Sequence, residues 1–164
     1  MNNDLGPSSS QPSLELPATM DSWDQLMAFA RLHAEAAITD SSRVYKLMLA
    51  VEELLSNIMR SASGVGGGSH PDDDSLCPVI RISFRRGAST ASPPLEMLTI
   101  SIEDSCPAFD PHLESIPASI ADSPIETRQI GGLGLFLVKS SVDQVDYQFK
   151  DGRNQYLLSM VCDS

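Results

Sequence analysis

Two segments near the amino terminus repeat apolar residues at intervals of three and four, the spacing of an amphipathic helix. The first predicts a helix from about Ser22 to Ala37, and the second predicts a helix from about Ser41 to Ala62. On the second helix one apolar stripe faces inward, and Glu53 and Asn57 belong to a neighbouring stripe. The two polar side chains are therefore expected to project together from a helix that is anchored by its apolar face.

Five shorter segments alternate apolar and polar residues, as strands with one buried face do. They cover residues 14–16, 79–86, 97–104, 145–149 and 155–161. The last two flank Asp151-Gly152, a pair that favours a tight hairpin turn.

A third helix is predicted from Gly131 to Val142, beginning in a glycine-rich run. We expect strands that are neighbours in sequence to pair antiparallel, with the helices on one face. The order of elements thus predicts an α+β fold, a two-layer α/β sandwich with a mixed, mostly antiparallel sheet.

Three stretches lack periodicity. Residues 1–12 have neither the basic flank nor the apolar stretch of a signal peptide, and they predict a disordered tail. The stretch 63–77, rich in Gly, Ser and Asp, predicts a flexible insertion. The loop at 107–130 exceeds about 15 residues, and a loop of that length in a compact domain is usually either functional or disordered. Residues 13–164, which include the insertion and the long loop, are predicted to form a single domain.

Composition narrows the classes of partner. The 164 residues are 41% hydrophobic and carry a formal net charge of −11, which argues against direct binding to nucleic acid or anionic membranes and allows a protein partner. Apolar runs fall short of the roughly 20 residues that a membrane span needs. The odd cysteine count, three, favours a reducing compartment such as the cytoplasm.

Three segments carry candidate chemistry. Asn57 offers a neutral oxygen to Mg²⁺, and Glu53 could deprotonate a hydroxyl, although Glu and Asn at this spacing also occur on solvated helix faces. Asp104 ends a strand and could accept a hydrogen bond from an amino group, or simply begin a turn. The glycines of 131–134 could bring backbone N–H groups to a phosphate, or allow close helix packing.

Together and in this order, the segments resemble the bacterial anti-sigma-factor serine/threonine kinases, within the ATPase superfamily that includes histidine kinases and DNA gyrase. LMLAVEELLSNIMRSA resembles that family's N-box, and IEDSCPAFDP resembles its Asp-x-Gly box. GGLGLFLVKSSVDQVDY resembles its second glycine box and the elements that follow. The resemblance covers roughly residues 21–160.

The resemblance implies a role for each matching residue. Asn57 would ligate Mg²⁺, Glu53 would act as the catalytic base toward a serine hydroxyl, and Asp104 would bind the amino group of adenine. The stretch 107–130 would be a lid over ATP, within which Arg128 would reach the terminal phosphate. The other implied ATP-binding residues are Cys106, Gly131, Gly132, Leu133, Gly134 and Leu135.

The implied function is a cytoplasmic kinase that uses ATP and Mg²⁺ to phosphorylate a STAS-type anti-sigma-factor antagonist. Such a kinase would also bind a sigma factor and form a homodimer. Two positions depart from the family pattern, since Cys106 stands where the family has Gly and Ser61 stands where many members have His. Cys106 motivates the alternative, a partner-switching binding module that keeps the fold with weak or no catalysis.

Overall fold

The computed structural model describes residues 11–64, 77–109, 111, 113 and 132–162. Most of the predicted tail, the centre of the predicted insertion and most of the predicted lid therefore lie outside the described residues.

The described chain folds into five strands, three α-helices and one short 3-10 turn at Met20–Ser22. In chain order the elements are β1 (Ser13–Pro17), α1 (Trp23–Ala37), α2 (Ser41–Ala62), β2 (Val79–Ala88), β3 (Glu96–Asp104), α3 (Gly132–Ser141), β4 (Gln144–Lys150) and β5 (Arg153–Val161).

All five strands form one sheet in the order β1-β2-β3-β5-β4, and every pair is antiparallel. The α+β sandwich is confirmed, but the expectation that sequence neighbours pair is wrong for β3 and β4. Strand β5 lies between them, and a two-residue turn joins it to β4. Asp151 and Gly152 in that turn have φ angles of 52° and 74°, as a tight hairpin turn requires.

Predicted and observed bounds agree closely for the helices. Helix α2 has the predicted ends, α1 begins one residue later, and α3 ends one residue earlier, at Ser141. The predicted first residue of α3, Gly131, lies outside the described residues. Strands β2 to β5 are all longer than predicted, by one or two residues. Their extra residues complete ladders with partner strands, and such pairing leaves no mark on a single segment.

One hydrophobic core lies between the sheet and the helices. On the sheet it is formed by alternate strand residues, which include Ile82, Ile100 and Leu158, all fully buried. On α2 it is formed by an apolar stripe that includes Leu47 and Val51. In the part of the chain that the structure describes, no helix combines the length and the apolar character needed to cross a membrane.

Helix α2 connects the two regions on which the site depends. It begins at Asp40, whose side-chain Oδ1 accepts a hydrogen bond from the Ser42 N–H at 2.8 Å and so caps the helix. It then packs against both α1 and α3. The glycine-rich start of α3 therefore lies beside the middle of α2, where Glu53 and Asn57 are located.

Candidate functional site

Glu53, Asn57 and Gly134 meet where α2 and α3 pack together. A Cβ atom built on Gly134 would lie 2.5 Å from Glu53 Oε2 and 3.6 Å from Asn57 Nδ2. Both polar side chains are half-buried. Glycine at position 134 thus lets the backbone of α3 approach the Glu–Asn pair so closely that an added Cβ atom would have to displace the Glu53 carboxylate.

A cavity of about 390 Å³ opens next to this junction. Its volume falls in the range of roughly 300 to 1,000 Å³ that is usual for small-ligand pockets. The lining includes Asn57 from α2, Leu135 from α3 and Asp104 from the end of β3. Glu53 is not among the described lining residues, so its carboxylate lies beside the cavity, against Gly134.

Asp104 is buried, with 2% of its surface exposed. Its Oδ1 accepts two hydrogen bonds of 2.9 Å, one from the Cys106 N–H and one from Asn154 Nδ2. A buried carboxylate that is fixed by these donors and borders a cavity is a suitable acceptor for a ligand's N–H group.

Asn154 pairs with Asp104 across the β3–β5 ladder and is 1% exposed. Besides its bond to Asp104, its Nδ2 donates to the backbone oxygens of Cys106 and Pro107, at 3.3 and 3.1 Å. Its Oδ1 accepts from the Phe109 N–H at 3.0 Å. A single amide side chain therefore connects strand β5, the Asp104 carboxylate and the chain that follows β3.

Cys106 lines the same cavity and is 4% exposed. Burial, together with the neighbouring Asp104 charge and its hydrogen bond, raises the pKa of the Cys106 thiol from 9.0 to about 12. The thiol is therefore protonated and uncharged at neutral pH, where it acts as a small side chain and a weak donor. Burial also raises the pKa of the nearby Tyr156 phenol.

The residues present fit a magnesium ion that is shared with a nucleotide. Asn57 presents a neutral oxygen at the cavity, and among the described residues this Oδ1 accepts a long 3.4 Å hydrogen bond from Arg60 Nη1. Within the described ranges, no group of three acidic, histidine or cysteine side chains could bind a metal alone. Mg²⁺ commonly combines few protein ligands with substrate phosphates, and Asn57 suits that arrangement.

The structure thus brings together most of the predicted site residues that it describes. Asn57, Asp104, Cys106 and Leu135 line one cavity, and Glu53 borders it through Gly134. Gly132 and Leu133 lie in the first turn of α3. Arg128 and Gly131 lie outside the described residues.

Sequence reasoning missed Asn154, which makes the largest set of hydrogen bonds in the site. A signal was present, because alternate residues of β5 are buried and Asn154 is the polar residue among them. The other buried residues on the same face of β5 are Tyr156, Leu158 and Met160. A buried amide next to a strand's turn calls for partners, but the sequence does not identify them.

Comparison with known families identifies the domain to which this fold belongs. A family model described as the histidine kinase-like ATPase domain matches residues 16–160, which is most of the chain. A search among curated proteins gives no significant match. The matched range includes both helices of the Glu–Asn junction and the strand residues Asp104 and Asn154. The chain therefore belongs to the histidine kinase-like ATPase domain family.

Proposed function

We propose that this protein is a serine/threonine kinase that transfers the terminal phosphoryl group of ATP to a STAS-type anti-sigma-factor antagonist. The observation that carries the proposal is the contact of Glu53 and Asn57 with Gly134 beside a cavity that Asp104 also lines. Phosphoryl transfer depends mainly on positioning and charge neutralisation, and these residues supply groups for both.

Each residue has a task that suits its chemistry. Asp104 accepts a hydrogen bond from the adenine amino group, and the first N–H groups of α3 face phosphate oxygens. Glu53 accepts the proton of the attacking serine or threonine hydroxyl. Mg²⁺, ligated by Asn57, would neutralise charge on the phosphates.

The proposed partners follow from the kinase assignment. The antagonist is the phosphoryl acceptor, a sigma factor is a second bound partner, and the protein acts as a cytoplasmic homodimer. The net charge of −11 supports protein partners over nucleic acid, because an acidic surface repels phosphate.

The test compares Glu53→Gln with the wild type and with Glu52→Gln, which removes the same charge from an adjacent, exposed position. The proteins are incubated with Mg-ATP and purified STAS-type antagonists, and phosphate incorporation is measured. Loss of a general base is expected to slow transfer by about 10²- to 10⁴-fold in the Glu53 variant alone. Equal incorporation by all three proteins would remove Glu53 from the mechanism.

A second candidate function is supported by Cys106, whose buried side chain occupies part of the cavity wall where the resembling kinases have glycine. On this proposal the chain is a partner-switching module that binds antagonist or sigma factor and has little or no catalysis. The Cys106 side chain would narrow the space that is open to the adenine base of ATP.

Calorimetric titration with Mg-ATP distinguishes the two candidates. Micromolar, Mg²⁺-dependent binding by the wild type would favour the kinase. Binding that is seen only in Cys106→Gly, with no phosphate incorporation by the wild type, would favour the binding module.

A further inference from the structure

Tyr147 lies on the edge strand β4, outside the described lining of the cavity, yet it is connected to the cavity through one side chain. Its hydroxyl and Asn154 Oδ1 are 2.8 Å apart. The aromatic ring packs against Tyr156, with ring centroids 5.1 Å apart. Neither Tyr147 nor Asn154 has a task in the kinase proposal above.

The hydrogen bonds around Asn154 fix the orientation of its amide. Phe109 N–H can only donate, so the atom that it contacts must be the oxygen. The backbone oxygens of Cys106 and Pro107 can only accept, so the atom that they contact must be the nitrogen. Because Oδ1 is an acceptor, the Tyr147 hydroxyl is the donor in the bond between them.

This fixed orientation places the amide nitrogen of Asn154, a donor, against the Asp104 carboxylate. Asn154 Nδ2 and the Cys106 N–H both donate to Oδ1. The carboxylate is thereby held through Oδ1, and neither of these two donors uses Oδ2. A flipped amide would instead present its oxygen to Asp104, and the two acceptors would repel each other.

We infer that Tyr147 and Asn154 are positioning residues that orient the Asp104 carboxylate, so that the site selects adenine over guanine. The inference rests on the proposed binding of ATP and deepens it. Tyr147 donates a second hydrogen bond to Asn154 Oδ1 and so helps the backbone groups to fix the amide. Asn154 in turn holds Asp104 by Oδ1, and Oδ2 accepts from the adenine base. Tyr147 acts only through Asn154 and needs no contact with the nucleotide.

The selectivity follows from the chemistry of the two purines. Adenine carries an amino group at carbon 6, which donates to a carboxylate oxygen. Guanine carries a carbonyl oxygen there, which a fixed carboxylate repels. A site built to hydrogen-bond one group discriminates strongly against a ligand that lacks it, because the buried partner is left unpaired.

The test measures the dissociation constants for Mg-ATP and Mg-GTP by calorimetry on the full chain. Tyr147→Phe removes one hydroxyl and keeps the ring, and Tyr45→Phe is the matched control, since Tyr45 is 68% exposed on α2. We expect Tyr147→Phe to weaken ATP binding by about 3- to 10-fold, as loss of one hydrogen bond does, with GTP binding unchanged. Tyr45→Phe should match the wild type. Asn154→Leu, checked for folding by thermal denaturation, should reduce the ATP-to-GTP preference further.

The outcomes separate this inference from the function on which it rests. Wild type that binds ATP, with an unchanged ATP-to-GTP preference in Tyr147→Phe, would overturn the positioning role and leave the kinase proposal intact. Equal weakening of both nucleotides would reduce Tyr147 to a structural residue and also overturn the inference. Wild type that binds neither nucleotide would overturn both proposals.

Discussion

Gly134 and Glu53 approach so closely that one added methyl group would move the carboxylate. In Gly134→Ala the new Cβ would lie 2.5 Å from Glu53 Oε2, which is the end of a flexible side chain. The fold can therefore accept the change by displacing the carboxylate, and alanine favours a helix by about 1 kcal/mol relative to glycine. We expect an unchanged or slightly higher melting temperature, with phosphoryl transfer slower by about 10- to 100-fold because the base is misplaced.

Gly87→Ala is the matched control for that variant, since a Cβ at Gly87 would have nothing within 4 Å. Melting temperature by circular dichroism and phosphate incorporation are measured on both proteins. Wild-type transfer by Gly134→Ala would show that the close contact with Glu53 does not matter for activity.

At this scale, the predictable residues were those whose partners are near in sequence. Glu53 and Asn57 are four apart on one helix, so their common direction follows from helical geometry. The bond between Asn154 and Asp104 joins residues 50 apart, and it exists only because β5 pairs with β3. Periodicity marks Asn154 as inward-facing but cannot name the carboxylate beside it.

The start of helix α2 is secured by Asp40, which gives an element-scale prediction. Asp40→Ala removes the side-chain oxygen that accepts from the Ser42 N–H. Loss of such a cap typically costs about 1 kcal/mol, within a range of roughly 0.5 to 2. We expect urea denaturation to show a lower free energy of unfolding by this amount.

Asp40→Asn separates capping from charge, because asparagine caps nearly as well as aspartate. It should retain most of the wild-type stability, while nucleotide affinity should be unchanged in both variants, since Asn57 lies more than four turns away along α2. A loss in Asp40→Asn equal to that in Asp40→Ala would assign the effect to the carboxylate charge and its other contacts.

The pattern of elements was predictable because each helix and strand shows its own period. The order of strands in the sheet was less predictable, since nothing within β4 or β5 indicates that β5 lies between β3 and β4. The tight turn at Asp151 and Gly152 forces β4 beside β5, but which of the two then pairs with β3 depends on packing of the whole core. That choice places Asn154, and not a residue of β4, against Asp104.

At the scale of the whole molecule, one helical layer on one sheet produces both the stability and the site. The inward sheet face ends in Asp104 and Asn154, two polar residues buried at the edge of an otherwise apolar core. Their hydrogen bonds offset the free-energy cost of burying these polar groups. Both residues also line the cavity, where they are placed to contact a ligand. The same burial also keeps the neighbouring Cys106 thiol protonated, so the free energy of unfolding is expected to decrease at alkaline pH.

The folded-state pKa of Cys106 is about 12, against 9.0 for an unperturbed thiol, and burial also raises the pKa of Tyr156. Below pH 9 both states keep the thiol proton, so the thiol contributes no pH dependence. Above it the unfolded chain releases the proton and the folded chain retains it, so stability falls as the pH rises from 9 toward 12.

Urea denaturation at about pH 8 and about pH 10.5 should show a smaller fall in stability for Cys106→Ala than for wild type, because only Tyr156 and other groups then contribute. Cys77→Ala, which removes an exposed thiol, should fall as the wild type does, and an equal fall in all three proteins would contradict the assignment to Cys106.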